Sequence, residues 1–394
     1  MKNLKTQLHR ASLLSLILLA GTAAYGQLAS SSDAYTSTAK RVCQPTMVEF
    51  GVLHAGTGSA QGTFPQGNNP AGAITGYYVT GENVFHGFLR APDGTVSSFD
   101  PPGSGTLKGS SQGTVPLSID PQGDIVGQFQ DENYLFHGFL RAVDGTFTII
   151  DAPNAGTEAN QGTVAGSINP QGVIAGFYID VNNAFHGFVR ARDGAITTFD
   201  DPSAGTGAHQ GTVESYTEQG INDQGEIIGW YIDSNNVGNG FLRSPDGSFT
   251  TIDGPDAIAT LPVGLTPAGA IAGWFGDANR VGHGFLHSPD GTMTTFDDPN
   301  AGTGSNQGTF VLGINRLGVI TGLYTDAGNT NHGYVRVPNG QFTSFDAPHA
   351  AGGSITAGTR PVGINPSGAV AGYYIDKNSV NHGFLWTPCP PPLQ

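Results

Sequence analysis

A short motif, typified by residues 186–200 (HGFVRARDGAITTFD), recurs along almost the whole chain. Its two halves are rich in β-branched and aromatic residues, and Asp193-Gly194 between them favours a tight two-residue turn. The motif therefore predicts a β-hairpin in which Phe188 lies opposite Phe199. A single hairpin is marginal in water, so each copy needs neighbouring strands that bury its apolar face.

The copies can be counted by the residue that opens the motif. These residues are His86, His137, His186, Asn239, His283, His332 and His382. Their spacing stays near fifty residues, and each copy is preceded by two further strand-like segments joined by a turn such as Pro170-Gln171-Gly172. Seven copies of four strands predict an all-β, seven-bladed β-propeller with four antiparallel strands per blade. A β-solenoid is the alternative, but its coils are usually shorter and lack two tight hairpins.

The composition agrees with this architecture. The chain has 60 Gly and 25 Pro, and only 12% of its residues are charged, which suits many tight turns. Such a composition also occurs in disordered chains, but the 22 Phe and 12 Tyr, many at repeating positions, favour a packed core.

The two ends of the repeat region predict that the ring closes. The last copy, residues 382–386, lacks its second strand, and a matching strand, Met47 to Phe50, appears at the beginning instead. We expect this strand to complete the last blade, which removes exposed sheet edges and places Phe50 beside Phe384. The only cysteines, Cys43 and Cys389, flank this seam, so we expect a disulfide; the alternative is two free thiols.

The N-terminal segment has the three parts of a secretory signal peptide. Residues 1–26 combine a basic start, an apolar run over residues 13–20 and a small-residue end. The alternative is an uncleaved anchor, but the run is shorter than the ~20 residues of a spanning helix. The predicted organisation is a signal peptide (1–26), a flexible leader (27–45), the propeller (46–390) and a tail (391–394), in a secreted or periplasmic protein without membrane insertion after cleavage.

Removal of residues 1–26 leaves 13 basic and 31 acidic residues, a net charge of −18 that argues against nucleic acid as a partner.

The repeat also resembles a known family. The pattern consists of Ile168, Asn169, Gly172, Ile174 and Gly176, followed by His186, Gly187, Phe188 and Val189. It is similar to the HAF family of extracellular repeats over about residues 46–388. The chain departs from that family by having Gly after the His and usually Arg, not Trp, at the end of the strand. The resemblance implies export and a β-propeller-like repeat, but no biochemical activity.

In a four-stranded blade the connections alternate between two faces of the disc. The Gly-rich connections between copies and the Asp-x-Asn loops share one face, called the loop face here; the Asp-Gly and Pro-x-Gly turns share the other, the turn face. We expect a ligand on the loop face. The candidate ligand residues are Gln61, Gln112, Gln161, Gln210, Gln307, Tyr216, Trp230 and Trp274, of which the aromatic residues could stack on a sugar.

The repeated histidines suggest a metal site, but geometry argues against one. Copies of one strand position in a seven-bladed ring lie roughly 13 Å apart, whereas metal ligands converge within a bond length of ~2 Å. We expect each His to bond the Asp across the hairpin, such as Asp200, and Asn239 to donate a hydrogen bond in its place. The Asp-x-Asn loops lack calcium-loop spacing and are predicted to be turns. No metal or cofactor is predicted.

Catalysis would need residues that break the repeat. The irregular positions are His54, His209, His287, Glu214, Glu218 and the short connection 254–261. None forms a Ser-His-Asp or paired-carboxylate signature. The repeated Arg90, Arg141, Arg190, Arg243 and Arg336 are predicted to bridge acidic loops and not to bind phosphate.

These observations favour an exported, non-enzymatic propeller that binds a protein or a glycan on one face. The first alternative is a lyase or hydrolase that acts on polysaccharide near the central channel. The second is a purely structural surface protein.

Overall fold

The computed structural model describes residues 44–389, which form twenty-eight β-strands. The first is β1 (Thr46–Phe50), and the others fall into seven units. Unit 1 contains β2 (Gly62–Asn68), β3 (Ile74–Val79), β4 (Phe85–Arg90) and β5 (Val96–Phe99). Unit 2 contains β6 (Gly113–Ile119), β7 (Ile125–Gln130), β8 (Phe136–Arg141) and β9 (Phe147–Ile150). Unit 3 contains β10 (Gly162–Ile168), β11 (Ile174–Ile179), β12 (Phe185–Arg190) and β13 (Ile196–Phe199). Unit 4 contains β14 (Gly211–Glu214), β15 (Ile227–Ile232), β16 (Gly238–Arg243) and β17 (Phe249–Ile252).

The remaining units continue the same pattern. Unit 5 contains β18 (Ala259–Leu265), β19 (Ile271–Gly276), β20 (Gly282–His287) and β21 (Met293–Phe296). Unit 6 contains β22 (Gly308–Ile314), β23 (Ile320–Thr325), β24 (Asn331–Arg336) and β25 (Phe342–Phe345). Unit 7 contains β26 (Gly358–Ile364), β27 (Val370–Ile375) and β28 (Asn381–Thr387), to which β1 is added. Within residues 44–389 no helix is long and apolar enough to cross a membrane. The predicted signal peptide, most of the leader and the tail lie outside the described residues.

Hydrogen bonds join the units into a closed ring. Neighbouring strands within a unit are antiparallel, and the third strand of one unit bonds in parallel to the start of the first strand of the next, as β4 does to β6. The last of these contacts joins Asn381 of β28 to Gly62 of β2. The first strands of most neighbouring units, such as β2 and β6, contact one another around the axis. Each unit has three inner strands, and its fourth strand is a short outer edge. The predicted all-β, closed, propeller-like fold is confirmed.

The seam forms between the two ends of the described chain, as predicted. Strand β1 is antiparallel to β28, with Thr46 opposite Thr387 and Phe50 opposite Gly383. The predicted position of Phe50 beside Phe384 is wrong by one residue, since Phe50 instead packs edge-on against Phe88 of unit 1, with ring centroids 6.2 Å apart. Cys43 lies outside the described residues, so the disulfide with Cys389 stays a prediction.

The hairpin register also differs from the prediction by one residue. Phe199 lies opposite Gly187, not opposite Phe188. The reason is the turn: only Gly194 has a positive φ (97°), and its N–H donates to the carbonyl of Ala191. This arrangement is a type I turn followed by a glycine bulge, which lengthens the loop by one residue relative to a two-residue turn.

The shifted register sends the outer-strand aromatic residues across to the next unit. Phe99 of unit 1, for example, packs edge-on against Phe139 of unit 2, with ring centroids 6.3 Å apart. The third-strand aromatic residues form the centres of these contacts and are fully buried: Phe88, Phe139, Phe188, Phe241, Phe285, Tyr334 and Phe384. The apolar core therefore lies between units, which explains why one hairpin cannot be stable alone.

Candidate functional site

Four of the five glutamines predicted to bind a ligand form hydrogen bonds within the loop face. Gln161 Oε1 accepts a hydrogen bond from the backbone N–H of Glu158 (3.0 Å), and its Nε2 donates to Asn183 Oδ1 (3.1 Å). Equivalent pairs of bonds occur at Gln61, Gln210 and Gln307. Gln112 is completely buried, and neither its Oε1 nor its Nε2 has a hydrogen-bond partner. The four bonded glutamines each tie a connection to the neighbouring loop.

The repeated histidines form internal hydrogen bonds, as predicted. His186 Nδ1 lies 2.9 Å from Asp200 Oδ1, its Nε2 lies 3.7 Å from Asp180 Oδ2, and its ring stacks on Tyr178. The hydrogen bond to Asp200 raises the pKa of His186, although partial burial opposes the rise. Both ring nitrogens thus face carboxylates of the same unit, which fixes the histidine between two loops.

Two predicted interactions take a different form. Asn239 donates to the carbonyl of Val237 (3.1 Å), not to the Asp across its hairpin. The arginines do not bridge acidic loops; instead the guanidinium of Arg141 lies 4.9 Å from the ring centre of Phe99 in the preceding unit. The same stacking occurs at Arg90, Arg243 and Arg336. A cation on an aromatic face contributes to the contact between units.

The asparagines of the first turn link neighbouring units on the turn face. Asn169 Oδ1 accepts from the backbone N–H of Val173 within its own turn, while its Nδ2 donates to the carbonyl of Asn222 in unit 4 (3.0 Å). Corresponding bonds to the next unit are made by Asn69, Asn222, Asn315 and Asn365. This double role accounts for an asparagine at this place in the repeat.

A funnel opens at the centre of the turn face, where the first turns of all seven units meet. Its volume is about 170 Å³. Five turns contribute prolines to its wall, namely Pro70, Pro121, Pro170, Pro267 and Pro366. Units 4 and 6 contribute Asp223 and Arg316 at these positions, and Glu218 and Gln219 also line the funnel. It is therefore a depression with proline-rich walls that also carries polar groups from the turns and from one irregular segment.

That segment consists of extra residues in unit 4. Gly211 and Ile221 are ten residues apart, whereas the equivalent Gly162 and Ile168 of unit 3 are six apart. Residues 215–220, called the insert here, follow β14 directly. The insert enters the central channel of the ring, because its side chains reach units on other sides of the axis.

Hydrogen bonds fix the insert to units 5 and 6. Thr217 Oγ1 donates to the carbonyl of Val263 (2.5 Å), and Ser215 Oγ donates to that of Pro262 (3.1 Å). Gln219 Oε1 accepts from the backbone N–H of Ile314 (3.3 Å). The insert thereby fills the channel at the base of the funnel.

Glu218 contacts the opposite side of the channel. The backbone N–H of Asn68 in unit 1 faces its carboxylate, and Glu218 Oε2 and Asn68 Oδ1 are both buried without a partner. Both atoms lie within 3.1 Å of the position that a Cβ on Gly363 would occupy, so that glycine leaves them room. Burial raises the pKa of Glu218 to about 8, although the Asn68 N–H opposes the rise.

Glu214, at the base of the insert, is fully buried and does not line the funnel. Its Oε1 accepts from Ser167 Oγ (2.5 Å), and its Oε2 has no partner. A Cβ on Gly166 or on Gly220 would overlap this carboxylate, so two glycines make its pocket. Burial raises the pKa of Glu214 well above its ordinary value.

The aromatic candidates pack inside the ring and form no exposed stacking platform. Tyr216 lies between Phe177 (6.0 Å) and Trp230 (5.6 Å), measured between ring centroids. Trp230 is buried, and the half-buried Trp274 packs edge-on against Phe310. Tyr216 is part of the insert and helps to anchor it.

Two residues of the site were missed in the sequence, although each carried a signal. Asn68 occupies the last position of the first strand, where the corresponding residues of the other units are Ile or Leu. Gln219 lies in the extra residues that lengthen the spacing between the third and fourth copies.

Of the irregular histidines, His209 adopts a positive φ (63°) in a connection, and His287 lies beside a second groove with Glu226.

Comparisons with known proteins show the fold alone. No family model matches the chain, and no curated protein matches it. A mutant puromycin hydrolase complexed with PGG is similar with a TM-score of 0.52 and 12% identity, covering 79% of this chain and 50% of that one. A lectin from Burkholderia pseudomallei has a TM-score of 0.47 and 10% identity over 81% of this chain and 94% of its own. A six-bladed β-propeller lectin from Aleuria aurantia has a TM-score of 0.35 and 11% identity over 76% and 94%. The two lectin scores are too low to support an argument about function.

Proposed function

We propose that this chain is an exported, non-enzymatic β-propeller of the HAF type, with seven blades of four strands, that binds the end of a protein or glycan chain in the turn-face funnel. Each unit defined above is one blade in this proposal. The observation that carries it is the funnel, a concave space at the axis to which all seven units contribute. Concave sites with apolar walls and a few polar groups are the usual form of ligand sites in proteins.

The funnel is favoured over the loop face for a physical reason. The loop-face glutamines with resolved partners, and the histidines, already bond to groups of the protein itself. A ligand there would have to replace those bonds. At about 170 Å³ the funnel has room for one sugar ring or one protruding side chain, so the ligand enters by its end.

Binding is favoured over polysaccharide hydrolysis by the arrangement of the two irregular carboxyls. Most glycosidases place two carboxyl groups on either side of the bond that is cleaved. Here Glu218 lines the funnel, but Glu214 is enclosed by two glycines and is inaccessible from it. The pair therefore cannot flank a substrate in the funnel.

Charge-reversing variants test the location of the site. Asp223→Arg and Arg316→Glu alter the funnel rim, and Glu158→Arg alters an exposed connection on the loop face as a matched control. Each protein is applied to a glycan array and to a partner screen with extracellular extracts. We expect the rim variants to lose binding and the control to retain it. Loss of binding in the control alone would place the site on the loop face, and reaction products from a polysaccharide panel would show an enzyme.

A further inference from the structure

The insert is held to units 5 and 6 by hydrogen bonds, but its contact with unit 1 includes buried groups without partners. It belongs to unit 4 but crosses the channel, and its contact with unit 1 consists of Glu218 and Asn68. Two buried acceptor oxygens, Glu218 Oε2 and Asn68 Oδ1, face the same small space above Gly363. Two buried acceptor oxygens that lack donors are unfavourable, and a proton on the carboxyl would supply a donor.

A proton on the carboxyl resolves this conflict without any other group. A protonated carboxyl is a hydrogen-bond donor, and an amide oxygen is a good acceptor. Asn68 Nδ2 already donates to the carbonyl of Ala369 (2.9 Å), which leaves its Oδ1 turned away from that bond and available. Asn68 is also the polar exception at a position that is Ile or Leu in the other units.

We infer that Glu218 is a pH-sensitive latch on the insert: its protonated Oε2 donates to Asn68 Oδ1, and loss of this proton releases the insert from unit 1. Release would deepen the funnel toward the loop face. The insert forms the base of the proposed binding site, so the biological meaning of the latch rests on the proposed function. Its test follows the insert itself, so the latch and the ligand site can fail separately.

The other charged groups around the latch do not supply an alternative partner. Asp120 lies on the funnel wall, but its Oδ1 accepts three backbone N–H groups of its own turn. Asp223 and Arg316 lie on exposed turns at the rim. Glu214, at the other end of the insert, is held by Ser167. The raised pKa of Glu218, about 8, agrees with a carboxyl that stays protonated while the insert is closed.

Hydrogen exchange of the insert, followed by mass spectrometry between pH 5.5 and 9, tests the latch. After correction for the intrinsic pH dependence of exchange, opening of residues 215–220 should rise about tenfold per pH unit, or roughly 100-fold from pH 5.5 to 7.5, and level off above pH 8. Glu218→Gln keeps a donor for Asn68 but cannot ionise, so the ratio of wild-type to variant opening should rise about tenfold per pH unit, which separates Glu218 from the buried Glu214. Asn68→Leu removes the acceptor and should expose the insert even at pH 5.5. Glu158→Gln, in an exposed connection, should behave as wild type.

Two results would overturn the inference. One is an insert whose opening rises with pH equally in wild type and in Glu218→Gln; the other is an insert whose opening in wild type does not depend on pH. If Glu218→Gln fails to fold, a carbon-13 titration of the glutamate carboxyls in the wild-type protein decides. A carboxyl that titrates near pH 8 and is assigned to Glu218 through its backbone resonances supports the latch, and the absence of such a titration at Glu218 contradicts it.

Discussion

The replacement of Glu218 by Gln should change how the stability of the whole protein depends on pH. In the folded protein this carboxyl has a pKa of about 8, against 4.5 for an ordinary glutamate. The unfolded chain therefore releases a proton that the folded protein retains at any pH between these values. Unfolding becomes easier as pH rises through this window, because a raised carboxyl pKa favours the state that releases the proton.

The size of this pH effect follows from the interval between the two pKa values. Each pH unit within it lowers the free energy of unfolding by about 1.4 kcal/mol for one such group. From pH 5 to pH 7.5 the wild-type protein should thus lose about 3 kcal/mol that the Gln variant keeps. Below about pH 4.5 both states are protonated, so the difference between the two proteins should be constant there.

Urea denaturation of both proteins at several pH values measures this difference. Comparing the two proteins removes the effects of other titrating groups, including Glu214 and the histidines, as long as the slope against urea is the same for both. Glu158→Gln provides the control and should give a difference that does not depend on pH. Parallel stability curves of wild type and Glu218→Gln between pH 5 and 7.5 would contradict a raised pKa at Glu218.

Three further predictions concern the ring. Gly187→Ala should destabilise the protein by about 1 to 3 kcal/mol, measured by urea denaturation, because the new Cβ would overlap the ring of Phe199. Cys389→Ser should lower the melting temperature if the disulfide with Cys43 forms, and alkylation of both cysteines in the denatured wild type without prior reduction would exclude that bond. His186→Asn should cost most below pH 6.5, because a histidine with a raised pKa contributes fully at low pH and loses that contribution as pH rises through its folded value; equal cost at pH 5.5 and 8.5 would contradict this.

The sequence was sufficient for the ring because the ring follows from repetition. The period, the unpaired last copy and the spare first strand together imply closure, and strand β1 indeed pairs with β28. The register was off by one because Asp-Gly suits both a two-residue turn and a type I turn with a glycine bulge. Only the backbone of Gly194, with its single positive φ, distinguishes the two.

The site was harder to predict because it depends on contacts between distant units. The sequence marks Glu214 and Glu218 as irregular, but it does not show that the insert turns into the channel. Nor does it show that Glu218 reaches Asn68, which lies 150 residues earlier in the chain. The sequence also does not show that four of the loop-face glutamines bond to neighbouring loops of the protein itself.

The irregular residues of this chain are matched to one another across units. Glu214 replaces a Pro, Ala or Val at its position, and unit 3 provides Gly166 and Ser167 to receive it. Glu218 likewise meets Asn68 of unit 1 above Gly363 of unit 7. A ring of repeats is otherwise held by contacts between nearest neighbours. The insert adds contacts from unit 4 to units 1, 6 and 7, so a change at one carboxyl acts on both sides of the axis at once. That is why we assign specific function to the departures from the repeat, and stability to the repeat itself.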